Sequence, residues 1–277
     1  MKLLLVGVGG VGCEFLILLE EYSRKNCIEI EVVIIDDDVV EESNLSRQRL
    51  YTSEDIGKPK VEVAANRLVD LKLTALKIKV ELIDDFEFFE QFDVFVLAVD
   101  NLETRRWINS TVLQTRKSNK NWFLIDLGVQ GFKFSLRTVK PGSACLECTL
   151  DLYLNGDEDY EIPVCSVFGK PRDLKDCVYW SSTRTTDLKE IYNLTIERAK
   201  EFCINFEDLS FSFINNLFKR SIPAVASVNS LLAAKGLELI FKSEDSLNFW
   251  MINLENGYYE FFTLLEINEN CIICYNN

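Results

Sequence analysis

Short apolar segments alternate with amphipathic segments along the first half of the chain. The pattern predicts strands at residues 2–6, 28–38, 76–83, 92–100 and 121–139, and helices up to about residue 24, from about residue 60, and at 101–116. The second strand alternates at first and then becomes continuously apolar, as expected for a strand that enters a buried parallel sheet. Strands that alternate with helices predict an α/β fold with a Rossmann-like, doubly wound, mainly parallel sheet.

The middle of the chain breaks this alternation. Residues 151–219 read as a loop-rich, cysteine-containing segment followed by mostly helical sequence. A strong helical pattern then returns at residues 221–241, and residues 248–265 read as two final strands. We therefore predict that residues 1–150 and 220–277 form one α/β domain and that residues 151–219 are inserted into it.

Composition excludes several classes of protein. The 277 residues carry a formal net charge of −14, which argues against nucleic acid as a partner because phosphate binding needs a basic surface. No apolar run is long enough to span a membrane. The first residues resemble a signal peptide, but glycines and Glu14 interrupt the run and no cleavage site follows. We expect a reducing compartment, the cytoplasm or the nucleus.

The chain contains no histidine. Serine–histidine and cysteine–histidine nucleophile pairs, histidine metal ligands and histidine acid–base catalysis are therefore all excluded. Any chemistry has to depend on carboxylates, lysine, arginine, cysteine and bound metal.

A glycine-rich loop lies at the first junction between a strand and a helix. The motif G-x-G-x-x-G is formed by four glycines, Gly7, Gly9, Gly10 and Gly12. Glycines at these places let backbone N–H groups approach a phosphate at the positive end of the following helix. Asp36 or Asp38, at the end of the second strand, would then bind ribose hydroxyls. This combination suits NAD as well as ATP.

Four polar residues further along the chain favour ATP. Arg47 and Gln48 lie on the loop after the second strand, Lys60 opens the next helix, and Asp100 ends the fourth strand. Open α/β sheets bind ligands at this carboxyl edge. The two cations can neutralise a triphosphate and the carboxylate can hold Mg²⁺. Each of these residues alone is best explained as a solvated surface residue. Only their combination predicts ATP binding.

Two C-x-x-C motifs predict a structural zinc site. The four cysteines are Cys145, Cys148, Cys271 and Cys274. Tetrahedral Zn²⁺ takes four thiolates, and each motif supplies two from one turn. The metal would clip the end of the chain onto the α/β domain. Four reduced structural cysteines are the alternative. Redox activity is disfavoured because neither motif opens a thioredoxin-like unit.

Cys165 lies in a different setting, the polar loop "EIPVCSVFGKPRDLKDC". Lys170 and Arg172 follow closely, and nearby cations lower the pKa of a thiol, whose thiolate is the nucleophile. An ordinary loop cysteine is the alternative. Three further cysteines in strand or helix patterns are predicted to be packing residues: Cys13, Cys27 and Cys203.

Three segments of the first half resemble a known family. "IIDDDVVEESNLSRQ", "DIGKPK" and "DNLETRRWIN" are similar to the adenylation domain of ubiquitin-like-modifier-activating (E1) enzymes, which are related to bacterial ThiF and MoeB. The resemblance implies that acidic residues bind the adenosine ribose, that polar and basic residues surround the triphosphate, and that one carboxylate holds magnesium. These residues are Asp36 and Asp38 for the ribose, Asn44, Arg47, Gln48 and Lys60 for the triphosphate, and Asp100 for magnesium.

The second half extends the resemblance to nearly the whole chain. "PGSACLECTLDLY", "IPVCSVFGKPRDLKDCVYW" and "KRSIPAVASVNSLLAAKGLELIF" are similar to the catalytic subunits of NEDD8-activating enzymes. The resemblance implies an E1/ThiF adenylation fold with a mostly helical catalytic-cysteine insertion. It also implies adenylation of the modifier's C-terminus, thioester formation on Cys165 and transfer to an E2 enzyme. The expected partner is an inactive E1 scaffold subunit in a heterodimer.

Several alternatives remain open on the sequence. SUMO-activating subunits share the same frame, and a homodimer that activates a sulfur carrier is related. An NAD-binding oxidoreductase and a non-catalytic scaffold half of an E1 are the alternatives of a different class.

Arg137 bears on the choice of modifier. It matches a family arginine that faces the modifier's tail. Ubiquitin carries an arginine near its C-terminus where NEDD8 carries alanine, so an arginine here would repel ubiquitin. The alternative is an exposed arginine on a strand.

Overall fold

A computed structural model gives the structure of most of the chain. It describes residues 1–115, 121–150, 152, 170–171, 173–185, 187–218, 225–242, 247–255 and 257–274. The strands are β1 (Lys2–Val6), β2 (Glu31–Ile35), β3 (Lys72–Leu76), β4 (Val94–Leu97), β5 (Phe123–Gln130), β6 (Lys133–Val139), β7 (Phe249–Asn253) and β8 (Tyr259–Thr263). The helices are α1 (Gly10–Asn26), α2 (Lys60–Arg67), α3 (Phe86–Glu90), α4 (Leu102–Thr115), α5 (Leu174–Ser182), α6 (Leu188–Glu201), α7 (Phe211–Phe218) and α8 (Ala226–Phe241).

The described strands form a single sheet in the order β3-β2-β1-β4-β5-β6-β7-β8. The pairs from β3 to β5 are parallel, and those from β5 to β8 are antiparallel. In the centre of the sheet, Leu5 of β1 lies opposite Ile34 of β2 and Val96 of β4. The strand order reverses between β1 and β4, and open sheets bind ligands at such a point. The predicted α/β architecture is therefore confirmed.

Both faces of the parallel part of the sheet are buried. Leu3 and Leu5 of β1 belong to a cluster with residues of α1 and α8, whereas Leu4 and Val6 belong to a second cluster that includes Phe95. Because both faces are covered, the first strand is apolar at successive positions. The small residues of α8 also pack inside this domain, since Ala233 and Gly236 are part of its buried face.

The third strand lies earlier than predicted. Residues 76–83 were expected to form it, but β3 is Lys72–Leu76 and Val80–Leu82 forms a 3-10 turn. β3 is half-exposed at the edge of the sheet, so its sequence "KLTAL" lacks the apolar signal of a central strand. The apolar side chains of the later segment instead pack beneath the sheet, with Val80 buried. The short helix α3 was not predicted; its N-cap is Asp85, whose side chain accepts from the N–H of Glu87.

The chain divides into two compact units. One contains residues 1–153 and 224–277, and the other contains residues 154–223. In the second unit α5, α6 and α7 enclose a small core with Cys177, Ile191 and Ile214. Within the described ranges, no helix combines the length and apolarity needed to cross a membrane.

The predicted packing role holds for one of the three cysteines. Cys13 is buried in α1. The prediction is wrong for Cys27 and Cys203, which are exposed. Both follow a helix and have a left-handed backbone, with φ of 53° and 56°. They terminate helices, which the apolar pattern alone does not reveal.

Candidate nucleotide and metal sites

The glycine loop is shaped by contacts that leave no room for side chains. Gly7 has φ of +92°, and a Cβ there would lie 2.5 Å from the carbonyl oxygen of Ala98. A Cβ on Gly12 would lie 2.1 Å from the carbonyl oxygen of Gly7. The loop leads directly into α1, which begins at Gly10 without a side-chain cap. A helix start approached by bare backbone is a good site for a phosphate.

Asp36 fixes the glycine loop to the end of β2. One carboxylate oxygen accepts from the N–H of Val8 at 2.7 Å, and the second accepts from the N–H of Asp38 at 2.9 Å. Burial raises the pKa of Asp36, although the nearby Lys60 opposes the rise. Its predicted contact with a ribose stays a prediction. The geometry gives Asp36 an additional task, because it orients the backbone of the loop.

Lys60 reaches the same edge of the sheet. It begins α2, and its Nζ lies 2.7 Å from Oδ2 of Asp38. The lysine side chain is only 7% exposed, whereas that of Asp38 is 65% exposed. A buried cation therefore lies beside the glycine loop, with one exposed carboxylate as its ion-pair partner. A phosphate could bind such a cation, either by displacing the carboxylate or by sharing the lysine with it.

The loop between β2 and α2 covers the glycine loop. Tyr51 donates from its hydroxyl to the carbonyl of Val8 at 2.8 Å. Gln48 is buried, its Nε2 would lie 3.9 Å from a Cβ on Gly9, and its Oε1 has no hydrogen-bond partner among the described residues. Gln48 therefore has an unused acceptor beside the predicted phosphate site.

Asn44 and Arg47 lie on the same loop in different roles. Asn44 is buried, and its side-chain oxygen accepts from the N–H of Glu41 at 3.0 Å, so it caps a 3-10 turn. Arg47 donates from Nη1 to the carbonyl of Ser43 at 2.7 Å. Their predicted contacts with a triphosphate stay predictions.

Asp100 is exposed beyond the end of β4. The backbone just before it is held by an arginine that the sequence did not single out. Arg105 of α4 is buried and ion-paired with Asp126 of β5, and it also donates to the carbonyls of Val99 and Leu127. It thus ties the segment before Asp100 to the neighbouring strand. The sequence did carry a signal, because Asp126 is an acidic residue inside an otherwise apolar strand.

Arg137 is buried, with 2% of its surface exposed. The alternative of an exposed strand arginine is therefore wrong. Its Nη2 donates to the carbonyls of Ala144 and Cys145, the second at 2.6 Å. Nε and Nη1 have no hydrogen-bond partner among the described residues. A contact with a modifier's tail stays a prediction, and the observed hydrogen bonds hold the segment that carries the first C-x-x-C motif.

The four predicted zinc ligands lie together. Their Sγ atoms are all within 4.8 Å of one another. Cys145 is 3.9 Å from Cys148 and 3.7 Å from Cys271, and Cys148 is 3.1 Å from Cys274. A tetrahedral Zn²⁺ with bonds of about 2.3 Å separates its sulfur ligands by about 3.8 Å. The donor set and its spacing therefore fit zinc.

The surroundings of the four thiols also fit a structural metal. Asn109 accepts from the N–H of Leu146 at 3.0 Å and so fixes the turn between Cys145 and Cys148. Burial raises the pKa of Cys145 to about 11, so its thiol keeps its proton unless a cation replaces it. Zinc would supply that cation and join the end of the described chain to the sheet.

Replacing Cys271 by serine is expected to remove bound zinc and to lower Tm by about 10 °C, since a structural zinc site contributes directly to folding. Metal analysis and thermal unfolding of the purified chain measure both. Cys27→Ser is the matched control, because Cys27 is exposed in the same unit. The absence of zinc from the unchanged protein, together with an unaltered Tm after chelation, would contradict the assignment.

Cys165, the predicted nucleophile, and Arg172 lie outside the described residues. Lys170 is described and exposed. The predicted role of Cys165 therefore rests on its sequence setting and on the resemblance stated above.

Strands β7 and β8 expose apolar side chains that the sequence analysis did not single out. Exposed fractions range from 46% to 66% for Met251, Tyr258, Tyr259, Phe261, Phe262 and Leu264. β8 is the last strand of the sheet, an edge that proteins usually protect with charge. Met251 lies opposite Phe261, and Tyr259 is on the same face two residues before Phe261, so these three share one exposed apolar face, which marks a site of interaction. The signal in the sequence is "YYEFFTLL", which lacks the alternation of a half-buried strand.

Comparison with known proteins identifies the class that this fold and site define. The ThiF family profile matches residues 1–273, and the chain belongs to that family. Among curated relatives, the NEDD8-activating enzyme E1 catalytic subunit of Saccharomyces cerevisiae is 34% identical over 98% of this chain and 92% of its own length. The subunit of the same name from Dictyostelium discoideum is 29% identical over 100% of this chain and 69% of its own length.

Solved structures agree on the fold. Escherichia coli MccB, determined with ATP, superimposes with a TM-score of 0.58 at 18% sequence identity. The match covers 99% of this chain and 65% of the MccB chain. At this identity the likeness extends to the fold alone.

Proposed function

We propose that this protein is the catalytic subunit of a NEDD8-activating E1 enzyme. The observation that carries the proposal is similarity along nearly the whole chain to curated subunits of that name. The geometry of the carboxyl edge of the sheet supports it, because a glycine loop, a buried lysine and an exposed carboxylate meet there. These groups suit a triphosphate better than a nicotinamide.

The first step is adenylation of the modifier. The modifier's C-terminal carboxylate attacks the α-phosphate of ATP, and pyrophosphate leaves. Lys60, Arg47 and the amides of the glycine loop stabilise the negative charge that accumulates on the phosphates. Asp100 would hold Mg²⁺, which supplies further charge neutralisation when bound. The product is an acyl-adenylate in which the modifier's carboxyl carbon is joined to AMP.

The second step is transfer to a thiol. The thiolate of Cys165 attacks the carboxyl carbon of the acyl-adenylate, the bond to the AMP oxygen breaks, and a thioester remains. The thiol proton passes to solvent and AMP leaves with the electron pair. Neither step needs histidine, in agreement with the composition. An E2 thiol then accepts the modifier.

Two partners follow from the proposal. An inactive scaffold subunit would complete a heterodimer, as in other E1 enzymes. We further propose that the folded body of the modifier covers Met251, Tyr259 and Phe261, which are exposed on one face of β7 and β8, since association buries apolar surface. A thioester-forming cysteine and four free thiols need reducing conditions, so we place the protein in the cytoplasm or the nucleus.

A thioester assay tests the function. The chain is incubated with Mg-ATP, a scaffold subunit and either NEDD8, SUMO or ubiquitin, and the products are separated on a non-reducing gel. A thiol-sensitive adduct with NEDD8 is the expected result. An adduct with SUMO alone would assign the chain to the related class of enzymes. No adduct and no pyrophosphate exchange with any modifier would favour a non-catalytic scaffold half.

A further inference from the structure

An ion pair between a buried glutamate and an exposed arginine joins α1 to the loop that covers the glycine loop. Glu14 of α1 is fully buried. Arg49 donates to both of its carboxylate oxygens, from Nε at 2.7 Å and from Nη2 at 2.6 Å. Ser230 of α8 donates a third hydrogen bond from its hydroxyl at 2.5 Å. Burial opposes ionisation of Glu14, but the hydrogen bonds from Arg49 and Ser230 outweigh it and lower the pKa.

The position of Arg49 makes this pair informative. Arg49 directly follows Gln48 and lies two residues after Arg47, so its guanidinium anchors the backbone that carries both predicted phosphate-binding side chains. A bidentate pair between arginine and carboxylate fixes distance and also orientation. Glu14 lies one helical turn after Gly10, the residue at which α1 begins. The pair therefore sets the separation between the loop and the glycine-rich start of the helix.

The far end of the same loop has its own anchor. Arg67 of α2 donates to the carbonyl of Leu50 and to the hydroxyl of Thr52, the second at 3.1 Å. Arg67 makes these hydrogen bonds to Leu50 and Thr52, and not to the residues of the loop before Leu50. Among the described residues, Arg49 is therefore the ionic link between α1 and the part of the loop that carries Arg47 and Gln48.

We infer that the Arg49–Glu14 pair, supported by Ser230, positions Arg47 and Gln48 for ATP. Arg49 is a positioning residue, because it faces Glu14 and acts on the nucleotide through its neighbours. The inference rests on the proposed function as far as ATP is concerned. The positioning of the loop itself can be tested without any activity.

A purely stabilising role makes a different prediction. If Arg49 only neutralises a buried carboxylate, then removing both charges together should restore the protein. If Arg49 positions the loop, the double variant regains stability but not the affinity for ATP. The double variant Glu14→Met with Arg49→Met separates the two roles, because methionine removes both charges and has about the length of the buried glutamate side chain.

The experiment compares three variants with the unchanged chain: Arg49→Met, the double variant, and Arg24→Met as control. Arg24 lies on α1, as Glu14 does, and pairs with Asp70 at 3.7 Å. Both of these side chains are exposed and lie outside the loop. KM for ATP and KM for NEDD8 are measured by pyrophosphate exchange with the scaffold subunit present. Hydrogen exchange of residues 41–51 and Tm are measured on the chain itself.

We expect Arg49→Met to raise KM for ATP about tenfold, the factor that one hydrogen bond to a charged group contributes, with KM for NEDD8 unchanged. Hydrogen exchange of residues 41–51 should accelerate in Arg49→Met and in the double variant but not in Arg24→Met. The inference is overturned if the double variant regains both Tm and KM for ATP, or if exchange in residues 41–51 does not change. If the unchanged chain shows no pyrophosphate exchange, the proposed function fails while hydrogen exchange still decides the positioning.

Discussion

Replacing Lys60 by methionine is expected to lower the rate of NEDD8-dependent pyrophosphate exchange by about 10²- to 10³-fold, the usual loss when one preorganised electrostatic group is removed. The side chain of Lys60 is 7% exposed, and its ammonium group is held 2.7 Å from Asp38 beside the glycine loop. A cation that is already desolvated and oriented needs little rearrangement when phosphate charge develops. The exchange assay with saturating NEDD8 measures the loss.

Lys58→Met is the matched control for this prediction. Lys58 lies two residues earlier, is 57% exposed, and pairs with Asp55 at 3.3 Å. Surface pairs of this kind contribute little, so exchange should stay within about twofold of the unchanged protein. In Lys60→Met the carboxylate of Asp38 stays exposed to water, so Tm should change little. The loss of pyrophosphate exchange is then not due to unfolding. Equal activity in both variants would remove Lys60 from the phosphate site.

The sequence predicts the central sheet well because its strands are buried on both faces. Apolar runs such as "KLLLV" and "VFVL" can hardly be anything other than interior strands once helical segments separate them. β3 was misplaced for the opposite reason. An edge strand needs few apolar residues, whereas residues 77–83, which follow β3, alternate like a strand although they form a turn and irregular chain.

The grouping of the candidate site residues was also predictable, since parallel topology gathers the ends of strands at one edge of the sheet. The hydrogen bond from Val8 to Asp36 and the ion pair of Lys60 with Asp38 follow from that gathering. Pairs between distant parts of the chain were not predictable. Glu14 and Arg49 are separated by 35 positions, and nothing in the local pattern of either residue reveals the partner.

The burial of a charged residue is also difficult to predict from the sequence. Arg137 occupies a strand position where an exposed arginine is common. Only the fold shows that it is buried and that its Nη2 donates hydrogen bonds to two backbone carbonyls. Arg105 of α4 is a second case, because its buried partner Asp126 lies on β5. Such residues become recognisable once the topology places their partners.

Replacing Cys165 by alanine is expected to abolish the thiol-sensitive NEDD8 adduct and to leave pyrophosphate exchange intact. In the proposed mechanism, adenylation depends on the candidate phosphate-binding groups of the first unit, whereas the thioester depends on a thiolate that attacks the acyl-adenylate. Of the two described cysteines of residues 173–218, Cys177 is a weak competitor. Burial raises the pKa of Cys177 to about 11, so its thiol is neutral and unreactive near pH 7.

Cys203 is the matched control, because it is exposed and its thiol is accessible. Cys203→Ser should therefore keep the adduct at the level of the unchanged protein, while Cys165→Ala loses it completely. Both variants should retain exchange, which reports the adenylation step alone. An adduct that survives in Cys165→Ala but disappears in Cys203→Ser would move the nucleophile to Cys203. Loss of both adduct and exchange in Cys165→Ala would mean that the residue supports the fold, because a pure nucleophile has no part in adenylation.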